Sequence, residues 1–344
     1  MFQSIFTLLY TLIFLTGCTP QAGMPGSEEN GFAVHYIDVG QADSALVLCG
    51  DQAMLIDGGN TEDSNVVVAY LKKQNVDHLD YVICTHAHED HVGGLSGPLS
   101  VMPADEIYAP KTGASSKAYQ NFLKKAEEQK KEIIHPKAGD QFTLGSSSVQ
   151  ILGPVNEDGA DTNNTSIVLK ITYGDTAFLF TGDAEREEEQ EILSCHYDLK
   201  ADVLKVGHHG SKNSTTYPFL REVMPEYAII SVGRDNSYGH PTEEALSRLQ
   251  DAGATILRTD LLGDIIITSD GHEVQTENVK TPSSSPTPVP KSQAEEYIGN
   301  KKSKKLHLPS CKSLPSEENR AIFQTPEEAY EQGYSPCGNC MQGF

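Results

Sequence analysis

From residue 31 onward, short apolar runs alternate with turns. FAVHYIDVG, SALVLCG and AMLIDGG are aliphatic and β-branched segments bounded by Gly, Asp and Ser, which predicts a strand meander. NVVVAYLKKQ changes to helical spacing, and DYVICTH returns to a buried strand. SKAYQNFLKKAEEQKKE has the spacing of an amphipathic, charged helix. SVQILGP, TSIVLKITYG and TAFLFTGD form a second strand series. EREEEQEIL starts a helix whose first-turn acids suit the helix dipole. ADVLKVGHHG and YAIISVG are strands, and TEEALSRLQDAG is a helix that stops at Gly253. ATILRT and DIIITSDG close the unit. This order predicts an α/β domain over residues 31–278, with two sheets flanked by helices.

The flanks differ in character. MFQSIFTLLYTLIFLTGC is apolar and has no charged side chain. It is barely long enough for a membrane span and lacks the basic start of a secretory signal. Its end, Leu15-Thr16-Gly17-Cys18, resembles a bacterial lipobox. The expectation is a lipoprotein signal peptide over 1–18, a polar spacer over 19–30 and lipidation of Cys18. The remainder would then sit on the extracytoplasmic face of the cell membrane; an uncleaved anchor or plain secretion are the alternatives. A Pro/Ser-rich linker occupies 279–293, and a small module with its own cysteines follows over 294–344.

Composition narrows the classes. The 344 residues are 38% hydrophobic, as in a globular protein, and the formal charge is 26 − 48 = −22. Residues 281–344 carry seven Lys/Arg and seven Glu, so the large domain carries the whole −22. Such a surface repels polyanions at long range. Of the seven cysteines, Cys49 and Cys84 lie in apolar strand runs and are expected to be small core residues rather than disulfide partners.

The densest chemistry is THAHEDHVGG, residues 85–94, which puts three of the chain's twelve histidines and two acids into six consecutive positions. It follows a strand, and strand ends are where open α/β sheets place ligands. His86 and His88 point the same way in extended backbone. Gly93-Gly94 permits close backbone approach. Imidazole and carboxylate are ligands for Zn, Mn or Fe, and their burial without a cation is costly. One ion rarely takes four ligands from six residues, so two adjacent ions are the natural arrangement. Other polar clusters also cap apolar strands: Asp57 in LIDGGN, Asp183 in FLFTGD, His208 and His209 in VLKVGHHGS, and His240 in SYGHP.

This set resembles the metallo-β-lactamase-fold hydrolases. His86-x-His88-x-Asp90-His91 matches their central motif, Asp57 the first motif, Asp183 the bridging acid, and His240 or the 208–209 pair the terminal histidine. HYIDVGQADSALV, the NNTS of 163–166, LKVGHHGSKNST and SVGRDNSYGHP resemble the hydrolase domain of ComEC, the DNA-uptake competence protein, and related secreted hydrolases that include choline-phosphate esterases. The resemblance covers roughly residues 31–278 and implies an αββα sandwich with the site at one edge. It also implies two divalent ions, Zn or Mn. His86 and His88 would hold one ion, Asp90 and His91 the other, with Asp183 between them. The resembling enzymes place a histidine some twenty residues before the bridging acid, where this chain has DTNNTS. His209 and His240 are therefore assigned as the remaining ligands, and His208 a proton-transfer role, with the order inside the pair open. Asp90 would also orient the attacking hydroxide. Asp57, with Gln41 and Asp43, would brace the ligands. Asn164 or Asn163, Ser211, Ser214, Asn236 and Tyr238 are expected to meet substrate.

In the tail, His307-x3-Cys311 and Cys337-x2-Cys340 offer three thiolates and an imidazole, a closed structural zinc set that would drive folding of so small a unit. YIGNKKSKKLHLPSCKSLP and PEEAYEQGYSPCGNC resemble the Ada-type metal-binding module, with His307 in place of the first of its four cysteines. The lysines of KKSKK suit either solvent or phosphate.

The expected function is an exported, membrane-tethered, metal-dependent hydrolase of phosphodiesters, with nucleic acid as substrate and no protein partner. A small-molecule hydrolase (choline-phosphate esterase, lactonase or β-lactamase) is the alternative, although β-lactamases usually carry Cys where His91 stands. A non-catalytic metal- or DNA-binding lipoprotein is the third class, and the intact acid and histidine set argues against it.

Overall fold

The computed structural model describes residues 31–156, 161–277, 297–308, 311–323, 329 and 332–337. The expected signal peptide with Cys18, the spacer, the linker and Cys340 lie outside these residues. β1 (Phe32–Tyr36), β2 (Ala45–Cys49) and β3 (Gln52–Ile56) pair consecutively and antiparallel, as the meander pattern predicts. α1 (Ser64–Lys73) buries Val67, Tyr70 and Leu71 and returns the chain so that β4 (Leu79–Ile83) lies parallel to β3. The short α2 (Glu89–Val92) and α3 (Pro98–Val101) lead into β5 (Ala104–Tyr108), and α4 (Lys117–Glu128) into β6 (Ile133–Ile134). β7 (Gln141–Leu144), β8 (Ser147–Gly153), β9 (Val168–Tyr173) and β10 (Thr176–Phe180) form the antiparallel half of a second sheet. α5 (Arg186–Ser194), α6 (Tyr217–Val223) and α7 (Glu243–Asp251) alternate with the parallel strands β11 (Val203–Lys205), β12 (Tyr227–Ile230) and β13 (Thr255–Arg258). After α8 (Thr259–Leu262), β14 (Ile265–Ser269) and β15 (Val274–Thr276) return to the first sheet beside β1.

Two mixed sheets result, ordered β15-β14-β1-β2-β3-β4-β5-β6 and β13-β12-β11-β10-β9-β8-β7. Their inner faces share one core: Phe32, Val34, Tyr36, Val47 and Met54 meet Ile151, Leu169, Phe178, Phe180 and Ile229. Phe32 stacks on Tyr173 at 5.1 Å and Tyr36 on Phe180 at 5.8 Å, between the sheets. The outer faces pack under helices, Leu46 and Leu55 with Leu71 and Phe122 on one side, Leu179 and Leu204 with Ile192, Phe219 and Leu249 on the other. A strand covered on both faces needs apolar residues at both parities of its two-residue period, which explains runs such as ALVLC. Four helices fall where the periodicity predicts them. β5 and α6 were not predicted: ADEIY has two exposed acidic positions, and α6 is a seven-residue segment opening on Tyr217-Pro218.

A second compact unit begins after the division between Val279 and Lys280. Its strands β16 (Tyr297–Asn300), β17 (Lys305–His307), β18 (Arg320–Phe323) and β19 (Ser335–Pro336) are ordered β18-β16-β17-β19. Leu306, Phe323, Ala329 and Tyr334 form its small core. Among the described residues no helix is long and apolar enough to cross a membrane.

Glu188 gives the large unit a pH-dependent stability. It sits in the first turn of α5 but turns inward, 2% exposed, and accepts the Val155 N–H at 2.8 Å. Burial pushes its carboxyl from 4.5 up to about 7, against the pull of that N–H. Below 4.5 both folded and unfolded chains hold the proton. Between there and about 7 the unfolded chain releases it first, so stability falls as pH rises. Glu188→Gln is therefore predicted to gain on the order of 3 kcal/mol over the natural chain at pH 8 and little at pH 4, taking about 1.4 kcal/mol per unit. Denaturant melts at both pH values check this.

Candidate metal centre

Two loops at the ends of β3 and β4 are locked backbone to backbone. The Gly58 N–H donates to the His91 carbonyl at 2.8 Å and the Gly94 N–H to that of Gly59 at 2.9 Å. The Asp43 N–H donates to Asp90 O at 3.0 Å, and Gly59 N–H to Asp43 O at 2.8 Å. A Cβ on Gly94 would land on the Gly58 carbonyl, one on Gly93 would lie 2.5 Å from Thr61 N, and one on Gly58 would lie 2.5 Å from Leu95 N. The glycines of THAHEDHVGG and LIDGGN are thus what lets the two loops touch.

The lock aims side chains inward. His91 is fully buried, and its Nδ1 meets Asp57 Oδ2 at 2.8 Å. Asp57 is itself held by the Thr85 N–H at 2.8 Å and the Thr85 hydroxyl at 2.6 Å. With Nδ1 engaged, His91 Nε2 points at Asp183 Oδ1, 3.2 Å away, and neither atom has a hydrogen-bond partner. His209 Nδ1 faces the Ser231 carbonyl at 2.9 Å, so Nε2 is directed at Asp90 Oδ2, 3.3 Å away. One donor atom each from Asp90, His91, Asp183 and His209 lies within 4.8 Å of the others. On the other side of Asp183, Oδ2 is 3.8 Å from His86 Nε2 and 3.7 Å from His208 Nε2, and His86 Nε2 is 3.0 Å from His88 Nδ1. Two donor groups therefore share one carboxylate. In the first group the buried His91 Nε2 and Asp183 Oδ1 lack hydrogen-bond partners, which a divalent cation would replace. In the second, His88 is exposed and His208 partly so, and the imidazole and carboxylate donors suit a second cation by their chemistry.

The electrostatics without a cation show the same demand. Burial pulls the His91 imidazolium down, yet Asp183, Asp57 and Asp90 outweigh it and hold its pKa well above the usual range. Burial likewise opposes protonation of His209, but Asp183 and Asp43 carry it up to about 10. Burial raises Asp90, and His91 and His209 overcome it to bring the carboxyl down to about 2. The cluster wants positive charge, and protons supply it when metal does not.

The remaining expected residues fall in several places. His208 and His209 adopt left-handed backbone, φ 48° and 53°. Adjacent residues of an extended strand point to opposite sides, but this pair sits in a left-handed turn and both rings face Asp183. His240, expected as a ligand, lies in a loop past β12, its ring 5.5 Å from that of His208 and 6.5 Å from that of His209, and its Nδ1 is buried without a hydrogen-bond partner. Like His86, His88 and His208, it is outside the four-residue group of Asp90, His91, Asp183 and His209. Ser214 is fully buried and Ser211 nearly so, so neither hydroxyl is open to substrate. Asn164 uses its Oδ1 on the Glu185 N–H at 2.9 Å and shapes the turn. Asn163 lies behind His208, with Nδ2 3.5 Å from its Nδ1 and 3.4 Å from Glu185 Oε1. Tyr238 is exposed at the rim.

Several supporting residues were not anticipated. Lys205 is buried in β11 and pairs with Asp43 Oδ2 at 2.7 Å, while Asp43 Oδ1 lies 3.3 Å from His209 Nδ1. A lysine inside the apolar VLKV was the available clue. Glu185 orients His208 through Nδ1 at 3.0 Å. Buried Glu189 accepts from the Thr215 and Thr216 N–H groups, and Arg248 donates to the Lys212 and Ser214 carbonyls at 3.1 and 2.9 Å. Together these two clamp the 207–216 loop.

In the second unit, His307, Cys311 and Cys337 are buried with one donor atom each within 4.8 Å. His307 Nδ1 is 3.3 Å from Cys311 Sγ, and His307 Nε2 has no hydrogen-bond partner. This imidazole–thiol set fits zinc.

Comparison with known proteins gives two family matches: the metallo-beta-lactamase superfamily over residues 37–234, and the metal binding domain of Ada over residues 290–342. The chain is 34% identical to ComE operon protein 3 of Bacillus subtilis (strain 168), over 74% of this chain and 34% of that protein. It is 32% identical to Competence protein ComA of Neisseria gonorrhoeae, over 68% and 32%. The chain thus spans about a third of the length of these curated relatives. A solved structure, the metallo-beta-lactamase fold protein YhfI from Bacillus subtilis, matches with a TM-score of 0.48 and 14% identity, covering 70% of this chain and 100% of that one.

Two stability predictions follow from the packing. Gly94→Ala must push the two loops apart and is expected to cost about 3 kcal/mol or more, seen as a lower melting temperature of the large unit. Cys311→Ser leaves the second unit with only its four-residue core, so limited proteolysis should remove that unit from the variant and spare it in the natural chain.

Proposed function

The chain belongs to the metallo-beta-lactamase superfamily of metal-dependent hydrolases, and on that premise we propose that it is an exported, lipid-anchored phosphodiesterase that cleaves nucleic acid. The observation that carries this reading is the buried carboxylate of Asp183 between two groups of donor side chains. The first ion would be held by His86, His88 and Asp183, with His208 beside it, and the second by Asp90, His91, Asp183 and His209. Such a pair, when bound, supplies a water activated near neutral pH and neutralises charge on a phosphate oxygen. One named relative is a competence protein, which favours a DNA substrate over other phosphodiesters.

The chain's own groups divide the remaining work. Asp90, held through one oxygen by His209 and a third exposed, orients the nucleophile and takes up its proton. His208 is a quarter exposed, with Nδ1 fixed by Glu185 and Nε2 turned toward Asp183, placing it to return a proton to the leaving oxygen. Zinc in the second unit is structural, and localisation outside the membrane rests on lipidation of Cys18. Choline-phosphate ester hydrolysis is the second reading, favoured by the −22 charge, which opposes binding of a long polyanion.

One assay panel tests the proposal. Purified full chain with Mn or Zn is offered single- and double-stranded DNA, bis-p-nitrophenyl phosphate, phosphorylcholine esters and nitrocefin. DNA and the simple diester should be hydrolysed. Asp90→Ala should lower that turnover by about 10²–10⁴-fold. Turnover confined to choline esters or nitrocefin, or DNA cleavage that survives Asp90→Ala, would refute it.

A further inference from the structure

Tyr238 is the most exposed of the large apolar side chains described, at 71%. One face of its ring lies on His240, with centroids 5.9 Å apart and planes at 26°. His240 in turn stacks on His209, 6.5 Å away at 25°. Three nearly parallel rings thus lead from the donor cluster to solvent.

The loop that carries the outer two, Tyr238 and His240, is fixed. Asn236 Oδ1 accepts the N–H groups of Tyr238 and His240, each at 3.1 Å, and its Nδ2 donates to the carbonyls of Gly233 at 3.0 Å and His240 at 2.6 Å. The Gly233 N–H donates to Gln41 Oε1 at 3.1 Å. The outermost ring is therefore held in place before any ligand arrives, which lowers the ordering cost of binding.

We infer that Tyr238, backed by His240, is a stacking platform for an unpaired base of the substrate strand, a specificity element that rests on the nucleic-acid reading above. Stacking tolerates any base and needs no phosphate contact. That suits a domain whose −22 charge forfeits affinity through the backbone of the strand. It also selects single strands, because a duplex keeps its bases against one another. The ring's role is contact through its face, not a hydrogen bond from its hydroxyl.

The full chain contains no tryptophan, so Tyr238→Trp places a single reporter on the platform. Its emission, recorded with chelator present, should be quenched by oligothymidylate and not by an abasic strand of equal length. In turnover with metal, the natural chain should show a KM about tenfold lower for oligothymidylate than for the abasic strand. That ratio should persist in Tyr238→Phe and fall to about one in Tyr238→Ala. Equal quenching by both strands, no quenching by either, or an unchanged ratio in Tyr238→Ala would overturn the platform. Quenching by phosphorylcholine and not by oligothymidylate would overturn it in favour of a cationic headgroup held by cation–π contact. If neither strand is hydrolysed, the nuclease proposal fails by itself, and the fluorescence still decides whether the platform binds bases.

Discussion

Asp183 is buried among four imidazoles, with His91 3.2 Å from one oxygen and His86, His208 and His209 3.7–3.9 Å from the other. A carboxylate in so dry a setting is tolerable only against positive charge. Every neighbouring feature follows from supplying and aiming that charge. Asp57 and the Ser231 carbonyl fix the far nitrogens of His91 and His209, so the near nitrogens converge. The glycine lock between the two loops fixes the backbone that carries Asp90 and His91.

Behind this lie a buried ion pair and two buried charged side chains bonded to backbone. Lys205 neutralises Asp43, and Glu189 and Arg248 pin the loop that carries both members of the histidine pair. Removing one partner from such a pair leaves an unpaired buried charge, so these residues tie the stability of the second sheet to the geometry of the site. The sandwich supplies strand ends from both sheets at one edge, where Asp57, the 86–91 motif, Asp183 and His209 meet although more than 150 residues separate the first from the last.

Much of this was legible in the sequence. Alternation and helical spacing located the meander, the second strand series and four helices, because long periodic runs survive tertiary context. The candidate ligands stand out as polar clusters at the ends of apolar strands. What stayed hidden depends on backbone geometry that no period encodes. Two successive left-handed residues turn His208 and His209 to the same side, so the order inside the pair was not decidable. His240 reads as one more ligand in SYGHP, and the sequence does not show that its ring lies between those of His209 and Tyr238. Ser211 and Ser214 look like substrate donors until burial closes them off. Short β5 and α6 lack enough period to be seen.

The central claim is that a pair of divalent ions shares Asp183. Metal content of the purified full chain, by mass spectrometry with an inductively coupled plasma, tests it most directly. Three divalent ions per chain are predicted, two at Asp183 and one in the second unit, with Asp183→Asn keeping the latter. A natural chain that carries no more metal than Asp183→Asn would contradict the account.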